Sequence, residues 1–124
     1  MTTTDRLVHT LSELPVDRPM PLISRRRVVG EHMMISAVVL ERGFELASHS
    51  HFNEQLVVVQ QGRCVFGLGE PESCEYREVE LTAGQVLVLP PNTPHLCRAI
   101  EETHILDLFS PPSAATGVDL SRRG

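Results

Sequence analysis

The sequence lacks a surplus of basic residues, paired cysteines and any long apolar run. Its 11 Lys and Arg residues are outnumbered by 16 Asp and Glu residues, giving a formal net charge of −5 and a pI of about 5.6. Nucleic-acid-binding proteins usually carry a basic face, so this balance argues against a nucleic-acid partner. The one basic run, residues 25–27, fits either the outward side of an edge strand or a contact with a phosphate or carboxylate.

Disulfide and membrane signals are also missing. Cys64, Cys74 and Cys97 are odd in number and show no Cys-x-x-Cys spacing, which favours free thiols in a reducing compartment. The N-terminus leads into no apolar core of the signal-peptide type. The longest apolar run, near residues 33–40, is far too short to span a bilayer. We therefore expect a cytoplasmic protein with no membrane partner.

The chain does contain a succession of short apolar or alternating runs separated by turn residues, which is typical of an all-β protein. No long helical pattern interrupts them, so a closed barrel or a two-sheet antiparallel sandwich is favoured. We expect an N-terminal arm over residues 1–23, one β-barrel domain over 24–112 and a tail over 113–124. Within the arm, residues 4–14 fit a short amphipathic helix that Pro15 ends. The predicted strands lie near residues 25–30, 32–41, 44–48, 54–60, 63–68, 74–80, 85–89, 95–100 and 103–109.

The second predicted strand is apolar on both faces from Met33 to Leu40. One face would lie against the barrel interior, and the other needs a cover. A second copy of the chain is the usual cover for an exposed apolar sheet face. The sequence therefore predicts a homodimer.

Two histidines precede the fourth predicted strand. The chain reads His49-Ser50-His51 and then reaches Gln55 and an apolar run. Because side chains alternate along an extended strand, His49, His51 and Gln55 share one face and can converge on a single cation. Imidazole suits zinc, iron, copper and nickel, and an amide oxygen is an acceptable harder ligand.

A later stretch ends in a third histidine. A strand that begins after Gly84 runs into a Pro-rich turn, and His95 follows immediately. Pro90 and Pro94 restrict the backbone around this turn and thereby fix the direction in which His95 points. Taken alone, a histidine after such a turn is a weak indication of metal binding.

Together the two stretches resemble the two motifs of the cupin superfamily. The first motif (Gly, five residues, His-x-His, three or four residues, Glu, six residues, Gly) is matched over residues 43–62, with Gln55 in place of the glutamate. The second (Gly, five residues, Pro-x-Gly, two residues, His, three residues, Asn) is matched over residues 84–99, with Asn92 in place of the second Gly and Ala99 in place of the Asn. The resemblance implies a small antiparallel β-barrel of the jelly-roll type. It also implies one divalent ion of zinc, iron, nickel, manganese or copper in the barrel mouth.

The metal ligands that the resemblance implies are His49, His51, Gln55 and His95. Glu54, the neighbour of Gln55, would be the ligand instead only if a bulge reversed the parity of the strand. A shell of three imidazoles and one amide is neutral, so the ion keeps its full charge. Such a shell favours Lewis-acid chemistry over redox chemistry.

The C-terminal strand adds a narrower resemblance. Residues 107–112 read Asp-Leu-Phe-Ser-Pro-Pro, which is similar to the ending of the small pectin-degradation cupins that linearise unsaturated uronates. The similarity implies that Asp107 and Phe109 lie near the substrate, with Asp107 as the catalytic acid or base. Ser113 stands where that group has an Arg, so a bidentate anchor for a substrate carboxylate is missing at this position. Polyketide-tailoring cupins share the compact layout, and both substrate classes stay open.

The sequence supports three hypotheses for the function of this chain, and each of them involves a small-molecule substrate or ligand. The leading one is a mononuclear metal enzyme of the isomerase, lyase or cyclase type, in which Asp107 moves a proton beside a metal-polarised carbonyl. The second is an iron(II) dioxygenase, and the third is a non-catalytic ligand-binding protein. The alternative role for Asp107 is a strand-end cap or an ion-pair partner.

Overall fold

A computed structural model describes residues 7–112 and shows two antiparallel β-sheets packed face to face. Within these residues the strands are β1 (Ile23–Val29), β2 (Met34–Leu40), β3 (Glu45–His49), β4 (Glu54–Gln61), β5 (Arg63–Leu68), β6 (Arg77–Thr82), β7 (Val86–Leu89), β8 (His95–Ala99) and β9 (Thr103–Ser110). One sheet has the order β1-β2-β9-β4-β7, and the other has the order β3-β8-β5-β6. The predicted all-β antiparallel fold is confirmed.

The observed strands lie close to the predicted ones, and the largest shift is at β6. The sequence placed its start at residue 74, whereas the strand begins at Arg77. The preceding residues form turns instead, because the Ser73 amide donates to the Glu70 carbonyl at 3.0 Å and the Tyr76 amide donates to the Ser73 carbonyl at 3.3 Å. Among the described residues, no helix has the length and hydropathy needed to cross a bilayer.

The predicted N-terminal helix is wrong in the part of the chain that the structure describes. Residues 4–6 of that prediction lie outside this part, and from residue 7 onward only a three-residue 3-10 turn forms, at Leu11–Glu13. Leu7 is 91% exposed and Leu11 is 36% exposed, whereas Leu14 is half-buried, so the three leucines do not form one packed stripe. A helix this short needs tertiary packing to be stable in water. The predicted tail, residues 113–124, lies outside the described residues, and the boundaries of arm, barrel and tail stay predictions.

The core lies between the two sheets, where inward side chains from both meet. Val57 and Val59 of β4 are almost fully buried, and they face Cys64 and Phe66 of β5 and Cys97 of β8 in one apolar cluster. Polar or charged residues alternate with these apolar ones along several strands, which is the period-two pattern that made the fold predictable from the sequence.

The outer face of the five-stranded sheet also carries apolar side chains. Cross-strand register places them in two rows, which we call the outer apolar rows: Ile35, Leu108, Leu56 and Val88 in one, and Ala37, Leu106, Val58 and Val86 in the other. Val86 and Val88 are 53% and 55% exposed. On β2 itself, Ile35 and Ala37 of this outer face are half-buried in the single chain, and the expectation that a second copy covers the face stays a prediction.

Two glycines with the same backbone conformation test how tightly the β4–β5 hairpin is packed. Gly62 and Gly84 have φ angles of +94° and +92°. A Cβ at Gly62 would overlap the Glu102 carbonyl oxygen and the Thr103 backbone, whereas a Cβ at Gly84 meets nothing within 4 Å. We expect Gly84→Ala to lower the free energy of unfolding by about 1–2 kcal/mol through backbone strain alone. Gly62→Ala should cost about 1–3 kcal/mol more, because of the overlap. Urea unfolding of both variants measures the difference, and equal losses would contradict the packing described here.

Candidate metal centre

Three histidine rings from the two motif stretches meet at one end of the barrel. His49 is the last residue of β3 and His95 the first of β8, and the two are paired across the strands. Their ring centroids lie 4.3 Å apart, and the ring of His51 lies 5.1 Å from that of His95. The nitrogens that the three residues offer to a metal all lie within 4.8 Å of one another. This is the spacing of side chains that can bind one ion.

His51 reaches the cluster by a different route from the one the sequence suggested. The predicted strand alternation does not run through it, because β3 ends at His49 and β4 begins only at Glu54. His51 lies in the intervening loop, whose position is fixed by a hydrogen bond of 2.8 Å from the Asn92 amide to the His51 carbonyl. Asn92 has a φ of 63°, a left-handed conformation that asparagine tolerates better than most residues. The loops that carry His51 and His95 are thus joined directly.

A backbone carbonyl two residues away fixes the tautomer of each ring. The Nδ1–carbonyl distances are 2.9 Å for His49 and Ala47, 3.1 Å for His51 and Asn53, and 2.8 Å for His95 and Thr93. Because a carbonyl oxygen only accepts, each Nδ1 carries the proton and donates it. Each Nε2 therefore keeps its lone pair, which is the form of imidazole that binds a metal.

Burial favours the neutral form of two of these rings, His95 and His49. His95 is 3% exposed. Desolvation, with a smaller contribution from the neighbouring His49 and His51, lowers the pKa of His95 to about 4. Burial likewise lowers the pKa of His49 below its ordinary value. Neutral imidazoles are available for a metal at neutral pH without loss of a proton.

Gln55, and not Glu54, faces this cluster. Gln55 is 6% exposed and lines the cavity beside the histidines, whereas Glu54 is exposed on the other side of β4. The Gln55 Oε1 atom lies 3.1 Å from Nε2 of His51. Since the His51 proton is on Nδ1, two lone pairs face each other here, and a shared cation relieves their repulsion. The donor set therefore fits a divalent metal.

Asp107 and Phe109 of β9 line the same cavity. The Gln55 Nε2 group donates to Oδ1 of Asp107 at 3.0 Å. Burial raises the pKa of Asp107 to about 7, although the Gln55 hydrogen bond and the charge of Arg25 act in the opposite direction. Phe109 is 4% exposed and packs edge-to-face on the His51 ring at 5.8 Å. The structure thus brings together all six candidate residues, while their roles as ligands, acid or base, and substrate contact stay predictions.

Two further polar residues lie in the cavity, one of them from the basic run for which the sequence left open an edge strand or an anion contact. Arg25 is 4% exposed and Ser36 is 2% exposed, and both line the cavity. The first of these interpretations placed the basic run on the outward side of an edge strand. The run does lie on the edge strand β1, but Arg25 points inward. The available signal was parity, because Arg25 lies two residues after the apolar Ile23 on the same face. Ser36 gave no signal within its apolar run.

The family model of the cupin domain matches residues 36–109. The chain belongs to the cupin family. Comparison with curated protein sequences finds no match.

Among solved structures, this cupin is similar to KdgF from Halomonas sp., with 26% identity and a TM-score of 0.74 over 83% of this chain and 91% of that one. The RmlC-like cupin from Shewanella frigidimarina NCIMB 400 is 18% identical, with a TM-score of 0.77 over 92% and 97% of the two chains. An oxalate decarboxylase from Lactobacillus farciminis, in a formate complex, is 17% identical with a TM-score of 0.76, and the match covers 91% of this chain and 35% of that one. The prediction of a small cupin is confirmed.

Removing one ring should abolish tight metal binding. We expect metal-stripped protein to bind one zinc ion per chain and His95→Ala to weaken this binding by about 100-fold or more, since ligand loss should exceed the 10–100-fold cost of losing an outer partner. His104→Ala is the matched control, because the His104 ring lies on the outside of β9, where its Nε2 atom is 2.8 Å from Oε2 of Glu102. Titration with a competing chelator measures both affinities. Unchanged affinity in His95→Ala would contradict the assignment of this centre.

Proposed function

We propose that this cupin is a mononuclear metal-dependent enzyme that catalyses non-redox carbonyl–enol chemistry of the isomerase, lyase or cyclase type. The observation that carries the proposal is the chain of contacts from the histidine cluster through Gln55 to the carboxyl group of Asp107. When bound by the three imidazoles and the Gln55 oxygen, a divalent ion supplies Lewis-acid polarisation of a substrate oxygen. The carboxyl group next to it is placed to move the proton.

Asp107 is the proton-transfer residue in this proposal. Burial raises its pKa to about 7 in the metal-free chain, and a bound cation would act in the opposite direction and favour the carboxylate form that accepts a proton. Such a carboxyl group can remove a proton from a carbon beside the polarised carbonyl and return it to a neighbouring atom. Gln55 holds Oδ1 through its amide, and we assign the transfer to Oδ2. Gln55 thus directs its side-chain oxygen toward the metal site and donates an N–H group to the acid/base.

The ligand set favours non-redox chemistry over a dioxygenase. All four candidate donors are neutral groups, because the nearby carboxylate of Glu54 is exposed on the other side of the strand. Without an anionic ligand, the site gives little support to a trivalent iron state. The resemblance to pectin-degradation cupins makes an unsaturated uronate one candidate, and a polyketide-like compound is the other.

Substitution of the acid/base should separate catalysis from metal binding. We expect Asp107→Asn to slow conversion of an unsaturated galacturonate, or deuterium incorporation into it in D₂O, by about 10²–10⁴-fold, because general acid–base catalysis contributes this much. Asn keeps a side-chain oxygen that can accept from Gln55, so zinc affinity should fall by less than the 10–100-fold that loss of an outer partner costs, and the variant should still carry its metal. The matched control is Glu54→Gln, which changes an exposed carboxylate on the same strand as Gln55.

NMR measures product formation and deuterium incorporation, and an oxygen electrode measures oxygen uptake by the iron-loaded protein. Stoichiometric oxygen uptake would support a dioxygenase instead. Full activity of Asp107→Asn would remove the acid/base role. Ligand binding with no turnover of either substrate class would favour a non-catalytic protein.

We also propose that a second copy of the chain covers the outer apolar rows. Eight apolar side chains on four neighbouring strands form one continuous face. Exposure of an apolar face of this size to water is unfavourable. A two-fold axis through the face would pack the outer apolar rows of one copy against those of the other.

A charge placed in this face should break the dimer. We expect Val88→Glu to convert a dimer to a monomer at micromolar concentration, because the carboxylate would be buried unpaired against apolar side chains. Val88 is 55% exposed in the single chain, so the variant should still fold. Val29→Glu is the control, at a residue of β1 that is 63% exposed and outside the outer apolar rows. Analytical ultracentrifugation measures the mass, and a monomeric unmodified protein would refute the proposal.

A further inference from the structure

Ser36 is a buried polar residue of the cavity that the proposed chemistry does not use. It is 2% exposed and lines the cavity together with Asp107. Among the described residues, its Oγ is the buried side-chain oxygen or nitrogen that has no hydrogen-bond partner. A buried hydroxyl group without a partner costs free energy, and a ligand that pairs with it removes that cost. We propose that Ser36 is a specificity-determining residue that binds a hydroxyl group of the substrate.

The place of Ser36 in the sheet brings it next to the proposed acid/base. Ser36 of β2 and Asp107 of β9 are paired in cross-strand register. The side chains of such a pair lie on the same face, with Cβ atoms about 4.5–5.5 Å apart. The Ser36 hydroxyl makes no hydrogen bond to this carboxyl group. A ligand atom that lies between the two groups can therefore contact both.

The neighbours of this pair on the inward face of the sheet are apolar. Two pairs flank it in the same register, and all four of their side chains are buried: Met34 with Phe109, and Val38 with Ile105. A ligand that touches β2 and β9 in this part of the cavity meets hydrocarbon except at Ser36 and Asp107. A polar atom of the substrate is therefore expected at this pair and apolar atoms on either side of it.

The two groups together select a hydroxyl over other polar groups. A serine hydroxyl can donate and accept, whereas an ionised carboxylate only accepts. A substrate hydroxyl can accept from Ser36 and donate to Oδ2 of Asp107 at the same time. A keto oxygen or a carboxylate oxygen cannot donate, so it would satisfy Ser36 alone. A carboxylate would also place a second negative charge beside Asp107.

As a statement about the substrate, this inference rests on the proposed function, because that function places a carbonyl oxygen at the metal centre. The combined class is a small hydroxy ketone or hydroxy aldehyde, with its carbonyl group toward the histidines and its hydroxyl group at Ser36. Gln55 connects the two ends of the site, since it contacts both His51 and Asp107.

Binding of matched ketones tests the contact without turnover. The probes are hydroxyacetone and 4-hydroxybutan-2-one, which differ in the separation of their two oxygens, and butan-2-one and pentan-2-one, in which a methyl group replaces the hydroxyl. With zinc-loaded protein, we expect at least one hydroxy ketone to bind about fivefold or more tightly than its alkyl counterpart, because the alkyl group leaves the buried serine unpaired. NMR titration gives the dissociation constants.

Ser36→Ala should remove this preference and leave binding of the alkyl ketones unchanged. Because the deleted hydroxyl has no partner in the protein, the unfolding temperature should stay equal or rise. A purely structural serine would change stability and leave the preference alone. Ser110→Ala is the matched control and should keep the full preference, because Ser110 is exposed on β9 and donates to the His32 carbonyl at 2.8 Å.

Metal-free protein separates this contact from chelation, since a hydroxy ketone can also bind zinc through both of its oxygens. A preference that needs zinc and survives in Ser36→Ala would be chelation and would overturn the assignment to Ser36. A preference that is lost in Ser36→Ala supports the assignment in either form of the protein.

The remaining outcomes distinguish this inference from the function on which it rests. A preference that depends on Ser36, without any Asp107-dependent turnover or deuterium incorporation, would support the hydroxyl contact and contradict the enzyme proposal. Equal binding of hydroxy ketones and alkyl ketones, with zinc binding and Asp107-dependent turnover intact, would overturn the hydroxyl contact alone.

Discussion

The site depends on one repeated local interaction, the hydrogen bond from the Nδ1 group of a histidine to a backbone carbonyl two residues away. It occurs at His49, His51 and His95, and at each it fixes both the tautomer and the direction of the ring. The carbonyls belong to the same loops and strands as the histidines, so the geometry is set by the backbone. The cluster therefore needs no contribution from distant side chains to present three lone pairs to one point.

The fold supplies the second requirement, which is that the two histidine stretches meet. His49 and His95 are partners in the β3–β8 pair, and the Asn92–His51 hydrogen bond joins the remaining loop to the same place. From there a polar path continues through Gln55 to Asp107. The imidazole nitrogens, the Gln55 amide and the Asp107 carboxyl group, whose pKa is raised, thus lie next to one another at this site. The guanidinium group of Arg25 lies nearby. Few arrangements of this kind arise from packing alone, because each buried polar group carries a desolvation cost.

Much of the fold and of the centre was predictable from the sequence, since period-two alternation and turn residues mark the strands and the paired motifs mark the histidines. The choice of Gln55 over Glu54 agrees with the direction in which both side chains point, although the alternation from His49 on which it was based is interrupted by the loop before Glu54. The prediction failed where local pattern and tertiary environment disagree. The leucines of the arm do not pack as one stripe, and the amphipathic helix expected there is replaced by the short 3-10 turn at Leu11–Glu13.

Parity with Ile23 was the one local signal for the inward direction of Arg25. A guanidinium group on an edge strand normally faces water, and the bidentate contact with Asp17, from the distant arm, helps to compensate for its burial. Contacts of this long range are not visible in a local pattern.

The most direct test of the metal centre is a crystal structure of the zinc-loaded protein with anomalous diffraction at the zinc edge. We expect one ion per chain, bound by Nε2 of His49, His51 and His95 at about 2.0–2.1 Å and by Oε1 of Gln55. The three Nδ1–carbonyl hydrogen bonds should be retained. Zinc bound at another place, through Nδ1 atoms, or with one of these rings turned away from it would contradict the proposed centre.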